Sequence, residues 1–393
     1  MRPFSIGLLT VAAVLAAGAT ILWSAEAPKT LSPQEQQRAT ALAKIALGND
    51  GAAALKAIQD LKAMGDAAKP RLANVVRDRL VRDRDAVMAA VRRIGDVSRA
   101  KAMEEEMTAL RKAARANIEK LAKDDTLRIA HENYDNLTKM NALFKELCVA
   151  REAICGAMAR RGELMTTWQE VGQANENRLA PAAEEKLKAS AEAALGMTVE
   201  MMRAVPEFEG GQEPSDPAQW NLWFIRACRR IEAYNLKQTA VTDPAELENV
   251  TLLNAYRESL GILPVEIDAR LQQSARRHSK EMGDLGYFAH DSPTASEKTP
   301  FQRMKNAGYS AGGYSENIAD GTSTGKGAFW MWFDSPPHHK NMVHEGSTAI
   351  GVGRWGGKWT QNFGTARRLI LVDDAERAKA TVQETILPPQ GGK

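Results

Sequence analysis

The sequence is poor in cysteine and in excess charge of either sign. Three cysteines among 393 residues cannot form a disulfide framework. Cys148 and Cys155 lie seven residues apart in a predicted helix, so they cannot form a disulfide with each other. A disulfide between Cys228 and one of these two cysteines stays open. The 52 basic and 49 acidic residues give a net charge of +3, which gives no reason to expect a nucleic acid as partner.

Long uncharged hydrophobic runs are also scarce, and the one that stands out is at the N-terminus. It spans the 18 residues from Ile6 to Trp23, follows Arg2 and precedes Ala25-Glu26-Ala27, as in a secretory signal. Its length and Pro28 after the cleavage point favour an uncleaved anchor as the alternative. A buried helix of a soluble protein is a third interpretation. We expect residues 1–27 to be a signal peptide or membrane anchor, and the chain to be exported: secreted, periplasmic or membrane-anchored.

The length predicts two domains, the first of them helical. Residues 28–204 show apolar residues at helical spacing, and the pattern ending in Gly65-Asp66 recurs 30 residues later, ending in Gly95-Asp96. This predicts a HEAT-like stack, a helical bundle or a coiled coil, and the pattern leaves all three open. We interpret this all-α region as a scaffold or interaction surface.

A linker and a short helix are predicted over residues 205–241, where Trp220, Trp223, Phe224 and Ala227 form an apolar stripe that docks on a neighbour. Beyond it the composition changes. Seventeen of 29 glycines lie after residue 250, and five of six histidines lie between positions 278 and 344. Glycine-rich loops with clustered imidazoles are typical of functional sites.

Residues 242–372 predict an α+β domain. Asp243, Pro244 and Glu246 start a helix with a capping box. In the next helix, His278 lies on an apolar stripe, which favours a hydrogen-bonded packing residue over a ligand. Alternating residues around Gly356-Gly357 predict a tight hairpin in a small antiparallel sheet. Residues 373–393 are predicted to be a flexible tail.

Two single residues and one histidine pair in this domain are candidates for a site. His290 lies in the loop GYFAHDSP, and Glu316 lies in the glycine-bounded segment GYSENIADG. His338 and His339 follow two prolines at the end of an aromatic helix. From the residues alone, this pair can ligate a metal, serve acid–base chemistry or shape a turn.

Seven blocks in order resemble the bacterial branch of the CAP superfamily (cysteine-rich secretory, antigen 5 and pathogenesis-related 1 proteins; SCP domains) over roughly residues 242–365. They are NAYRESLG, HSKEM, GYFAHDSP, TPFQRMKNAGY, ENIADG, WFDSPPHHKNM and IGVGRW with WTQNFG. The resemblance implies a three-layer α-β-α sandwich whose cleft, in well-described members, holds two histidines and two glutamates and sometimes zinc.

Two of these family positions carry over, as His290 and Glu316. The other glutamate is Ser335 here, and the other histidine is Lys358. The bacterial S-P-x-H pattern instead implies that His338 points into the cleft and that His339 faces outward. Further residues are expected to line the cleft as ligand contacts: Tyr287, Tyr309, Tyr314, Asn317, Ser335, Lys358 and Trp359.

Three functions follow from a cleft of His290, Glu316 and His338. It can bind an extracytoplasmic ligand, namely a cell-wall fragment, a peptide or a lipid. It can hydrolyse a substrate, either with zinc held by these three residues or with Ser292 or Ser335 as nucleophile and His290 as base. It can also be a stabilising hydrogen-bond network, with the helical region as an interaction scaffold. The sequence does not decide whether the protein is an enzyme.

Overall fold

The computed structural model describes residues 30–122, 125–172, 179–205, 213–238, 243–310 and 314–372, together with residue 377. The predicted signal or anchor, part of the linker and almost all of the predicted tail lie outside these residues. In the part of the chain that is described, no helix is long and apolar enough to cross a membrane.

The first part of the described chain consists of eight helices, which we call the N-terminal helices. They are α1 (Pro33–Ala46), α2 (Gly51–Ala63), α3 (Lys69–Ile94), α4 (Val97–Glu119), α5 (Asp125–Val171), α6 (Pro181–Leu195), α7 (Val199–Arg203) and α8 (Pro217–Asn235). The two copies of the repeated sequence pattern end α2 and α3, where Gly65 and Gly95 adopt φ of 79° and 67°. Glycine is favoured there because other residues are strained at positive φ. HEAT-like stacking stays a prediction.

The C-terminal region combines five helices with a four-stranded sheet. The helices are α9 (Pro244–Ser259), α10 (Ala269–Leu285), α11 (Pro300–Asn306), α12 (Gly325–Phe333) and α13 (Pro336–Met342). The strands are β1 (Glu266–Ile267), β2 (Tyr314–Asp320), β3 (Ala349–Trp355) and β4 (Lys358–Gly364), in the order β1-β3-β4-β2. The hairpin around Gly356 is confirmed. The small antiparallel sheet is confirmed for β2, β4 and β3, and β1 adds a parallel pairing with β3 that the sequence did not predict. A strand of two residues is too short to show a period in the sequence.

Helices cover both faces of this sheet, which confirms the three-layer arrangement. On one face α10 lies against β3 so closely that a Cβ atom at Gly351 would be 2.0 Å from the backbone of Leu271. A Cβ at Gly353 would be 2.2 Å from the backbone nitrogen of Arg276. Ile350 and Val352 point to the other face and join the core formed by α9 and α12. Successive positions of β3 face opposite sides of the sheet, so its glycines face α10 while Ile350 and Val352 face the layer of α9 and α12.

The N-terminal helices share a hydrophobic core with the C-terminal region. One buried cluster contains Met107 and Ile118 of α4 and Leu137 of α5 together with Leu253 and Phe333. The predicted apolar stripe of α8 is also buried, with Trp223 and Phe224 in a second cluster. All three cysteines are buried and free, so the disulfide left open by the sequence does not form. The core is therefore continuous across the predicted linker.

The capping box of α9 is also a buried charged centre. Asp243 and Glu246 exchange backbone hydrogen bonds, as predicted. The Glu246 carboxylate is fully buried and accepts from Arg276 Nε (2.9 Å), Gln272 Nε2 (2.7 Å) and the backbone nitrogen of Arg354 (3.1 Å). One glutamate thus joins α9, α10 and β3.

We expect Glu246→Gln to lower the free energy of unfolding by about 3–5 kcal/mol, because it leaves the buried Arg276 guanidinium without its charge partner. Urea unfolding of the full chain measures this. Glu35→Gln is the matched control, since Glu35 completes the same capping box with Ser32 on the exposed α1 and pairs with no buried cation. Equal stabilities of the two variants would show that Glu246 acts only as a cap.

Candidate functional site

A buried carboxylate on β2 is the centre of the candidate site. Glu316 has a side chain that is 2% exposed and accepts from Arg303 Nη2 at both oxygens, at 2.9 and 2.7 Å. In the orientation that satisfies its hydrogen bonds, the Asn362 side-chain nitrogen donates to Glu316 Oε2 at 3.0 Å. A buried charge needs such compensation, and α11 and β4 supply it.

His290 is held on this carboxylate while remaining open to solvent. Its Nδ1 lies 2.9 Å from Glu316 Oε1, and its side chain is 48% exposed. A carboxylate oxygen only accepts, so Nδ1 donates, and in the neutral ring Nε2 is an acceptor. Among the described residues, Nε2 has no hydrogen-bond partner. In its neutral form the ring therefore presents the Nε2 lone pair to a ligand.

Helix α10 fixes the loop that carries His290. His278 Nε2 donates to the Ala289 carbonyl (3.0 Å), while Glu281 accepts from Tyr287 Oη (2.6 Å) and Ser292 Oγ (2.8 Å). His278 is thus the hydrogen-bonded packing residue that the sequence predicted. It also lies 3.9 Å from Glu316 Oε1, a proximity that its apolar stripe did not reveal.

Burial determines the charge state of His278. Burial lowers the pKa of His278 to about 4, against the opposing effect of Glu316. Burial also tends to raise the pKa of Glu281, but hydrogen bonds from Thr294, Tyr287 and Ser292 outweigh it and hold that pKa below its usual range. The loop is therefore anchored at neutral pH by a neutral imidazole and a carboxylate.

His338 approaches the site from α13. Its ring centroid is 6.5 Å from that of His290, and its backbone carbonyl accepts from Asn317 Nδ2 at 3.1 Å. Burial and the nearby His290 lower the pKa of the half-buried His338. The structure thus brings His290, Glu316 and His338 together, with His338 next to His290 and not hydrogen-bonded to Glu316.

The prediction that His339 faces outward is wrong. His339 is fully buried, with Nδ1 2.8 Å from the Phe333 carbonyl and Nε2 2.9 Å from Tyr256 Oη. Pro336 and Pro337 begin α13, and successive residues of a helix differ by about 100° in direction. His339 therefore points inward to fix the helix, and His338 lies towards the site.

Two predicted ligand contacts are buried, and a third, Lys358, lies beside the loop of His290. Tyr309 and Trp359 do not line an open cleft: both are buried, with Tyr309 Oη accepting from the backbone of Ala366 and Trp359 Nε1 donating to the Thr322 carbonyl. Lys358 pairs with Asp320 at 2.6 Å, and its Nζ also lies 5.1 Å from the ring centroid of Phe288 in the loop that carries His290.

The remaining predicted ligand contacts stay predictions, and the structure shows what three of them touch. Tyr287 lies beside His278, with ring centroids 6.2 Å apart, and Asn317 holds the His338 backbone. Ser335 precedes α13, and its carbonyl accepts from the His339 nitrogen. Tyr314 pairs with Gly364 through its backbone, and its side chain lies outside the description.

The site does not fit the predicted zinc centre. Arg303 donates to both Glu316 oxygens, so a cation there would compete with a guanidinium. In the described residues, no group of three histidine, cysteine or acidic side chains is placed to hold a metal.

The predicted serine nucleophiles are not supported either. Ser292 donates to Glu281, and no serine hydroxyl in the described ranges is hydrogen-bonded to His290 or His338. A serine triad needs a bond of that kind between its hydroxyl and the base.

Residues 250–363 match the model of the cysteine-rich secretory protein family, named CAP. This segment is a CAP domain. It is similar to the uncharacterised protein YkwD of Bacillus subtilis, with 42% identity over 120 residues, which are 30% of this chain and 46% of that protein. The uncharacterised membrane protein YlbC of the same organism is 28% identical over 127 residues, which are 32% and 36% of the two chains. The chain thus spans less than half the length of these relatives.

Solved structures match the same part of the chain. An extracellular protein containing an SCP domain from Bacillus anthracis is 33% identical, over 31% of this chain and 40% of that chain, with a TM-score of 0.30. An outer surface protein from Borrelia burgdorferi is 21% identical, over 30% and 90%, with a TM-score of 0.28. The CAP resemblance predicted from the sequence blocks is confirmed by the family match.

We expect the protein to lose stability as the pH falls from about 6.5 to about 4. Burial lowers the pKa values of His278 and His339 to about 4, so in this window the unfolded state binds protons that the folded state does not. Their stabilising contribution is complete above pH 6.5. Urea unfolding at pH 7, 6 and 5 measures the slope, which is on the order of 1 kcal/mol per pH unit for each imidazole.

His339→Gln should make this pH dependence shallower, whereas His344→Gln, at an exposed position, should leave it unchanged. An identical slope in all three proteins would mean that His339 becomes charged in the folded state.

We expect the full chain, purified without a histidine tag, to retain well below one zinc per chain, because Arg303 occupies both oxygens of Glu316. Arg303→Met should raise the retained zinc by freeing the carboxylate. Elemental analysis after equilibration with zinc and gel filtration measures both. Stoichiometric zinc in the wild type that is lost in His290→Ala and His338→Ala would restore the three-ligand metal site.

Proposed function

We propose that this chain is an exported CAP-domain protein that binds a ligand rich in hydroxyl and amide groups outside the cytoplasm. A peptidoglycan fragment is the first choice and a peptide the second. The observation that carries the proposal is the exposed His290 ring, held by Nδ1 on the buried Glu316–Arg303 pair. Its solvent-facing Nε2 accepts hydrogen bonds, so it selects a ligand that donates them.

His338 extends this acceptor surface. Its ring lies beside His290, and its lowered pKa keeps it neutral at pH 7. Phe288, two residues before His290 in the same loop, is 48% exposed, with Lys358 Nζ over its ring at 5.1 Å. Two imidazoles beside a half-exposed aromatic ring suit a sugar or peptide, whose hydroxyl and amide groups form hydrogen bonds and whose apolar faces pack on rings.

Export rests on residues 1–27. The basic residue, the uncharged run and the small residues that follow are those of a secretory signal or an N-terminal anchor. In either case the CAP domain would face the outside, where cell-wall material is available.

Hydrolysis is the second candidate function, and the same acceptor supports it. A His290 ring oriented by Glu316 can take a proton from a bound water. No serine of the described residues is bonded to it, so water itself would be the nucleophile. In this case the ligand would be cleaved as well as bound.

We expect a purified disaccharide tetrapeptide from peptidoglycan to bind the full chain. His290→Ala and His338→Ala should each weaken binding about tenfold, the loss of one hydrogen bond of roughly 1.4 kcal/mol. His344→Ala is the matched control, since His344 is an exposed histidine outside the site. Isothermal titration calorimetry measures the affinity, and mass spectrometry of the recovered ligand detects cleavage.

Equal affinity of all three variants and the wild type would refute binding through this site. Binding to anionic lipid vesicles that is unaffected by His290→Ala would instead identify a lipid-binding surface elsewhere on the protein.

A further inference from the structure

The helix that carries His338 is held from outside the CAP domain. Just before α13, Asp334 Oδ1 lies 2.6 Å from His131 Nε2 of α5. Within α13, Lys340 Nζ donates to the Glu119 carbonyl of α4 at 3.1 Å. Just after it, Glu345 pairs with Arg115 of α4 at 2.8 Å. The N-terminal helices therefore contact this segment at both ends and in the middle.

A buried layer lies beneath these contacts. His339, adjacent to His338, is bonded to Tyr256 Oη and to the Phe333 carbonyl. Both aromatic rings pack against Tyr134 of α5, with centroid distances of 5.4 Å to Tyr256 and 5.5 Å to Phe333. Packed side chains thus connect α5 to the residue beside His338 without a break.

The buried layer matters more than the surface ion pairs. Exposed pairs such as His131 with Asp334 contribute about 0–1 kcal/mol each. Tyr134 contacts Trp330 as well as Tyr256 and Phe333. His131 also packs on Trp330 and Phe333, but of these two rings of α5 it is Tyr134 that contacts Tyr256, the hydrogen-bond partner of His339. It is the contact to test.

His290 is supported differently. Its loop is bonded to His278 and Glu281 of α10, and its carboxylate partner is bonded to Arg303 of α11. All of these residues belong to the CAP domain. The His290 half of the site is therefore held by the CAP domain alone, whereas the His338 half is also held by the N-terminal helices.

We propose that the N-terminal helices form part of the binding site by positioning His338, with Tyr134 as the principal positioning residue and His131 and Arg115 in support. Ligand binding in the CAP domain and docking of the N-terminal helices are then linked, so each strengthens the other. The ligand part of this proposal rests on the function proposed above, and the positioning of His338 does not.

The experiment uses the full chain with labelled histidine side chains, whose imidazole signals are followed by NMR over a pH series. His338→Gln assigns the His338 signal. Tyr134→Leu replaces the aromatic ring by a smaller apolar side chain, and Tyr134→Phe keeps the ring. Leu164→Ala is the matched control, because Leu164 is a buried residue of the same helix in a cluster that contains no CAP-domain residue.

We expect Tyr134→Leu to raise the pKa of His338 towards its ordinary value, because α13 becomes more open to water and burial is the main cause of its lowered pKa. Carbethoxylation of His338 by diethylpyrocarbonate, measured by peptide mass spectrometry, should accelerate about fivefold. His290 should change in neither measurement. Tyr134→Phe and Leu164→Ala should match the wild type at both histidines.

Two results would overturn the proposal. One is a His338 that titrates and reacts as in the wild type when Tyr134 is Leu. The other is an equal change at His290 and His338, or in Leu164→Ala, which would show general loosening of the fold.

Binding of the disaccharide tetrapeptide separates the two proposals. If the wild type binds it, Tyr134→Leu should weaken the affinity about fivefold, and an unchanged affinity would count against linkage. If the wild type does not bind it, the proposed function fails while the NMR and modification results still decide how His338 is positioned.

Discussion

The close approach of α10 to the sheet is the constraint on which the rest of this structure depends. Gly351 and Gly353 let the helix backbone lie directly on β3. From that position α10 directs Arg276 to Glu246 and Ser279 to Thr360, inside the core. His278 and Glu281 of the same helix form hydrogen bonds with the loop that carries His290. One helix–sheet contact thus supports both the fold and the site.

Much of the site could be predicted from the sequence, because its residues lie in distinctive local contexts. His290 and Glu316 occupy loop and strand segments bounded by glycine and proline, and the order of seven blocks supplied the family pattern. The orientation of His338 and His339 could not be derived from such context. Helix α13 has seven residues, too few for an amphipathic period to show which side is buried.

Several contacts were missed because the two partners are distant in sequence. His278 has a helical apolar stripe, which indicates burial and not what its ring contacts. Tyr309 and Trp359 resemble cleft aromatics in composition but meet backbone groups of residues 366 and 322. Arg303 gave no local signal, although its ion pair with Glu316 decides the chemistry of the site. Long-range pairing of this kind is set by the tertiary fold.

Because the CAP domain shares a hydrophobic core with the N-terminal helices, it differs from a module that folds independently. Phe329 and Phe333 would form an exposed apolar face if the N-terminal helices were absent, since α4 and α5 cover that side. A chain cut between residues 205 and 213 would therefore stay assembled as two fragments held by their interface. Transfer of residues 243–372 alone to another protein would need a substitute for α4 and α5, and any natural rearrangement of this gene would have to move both parts together.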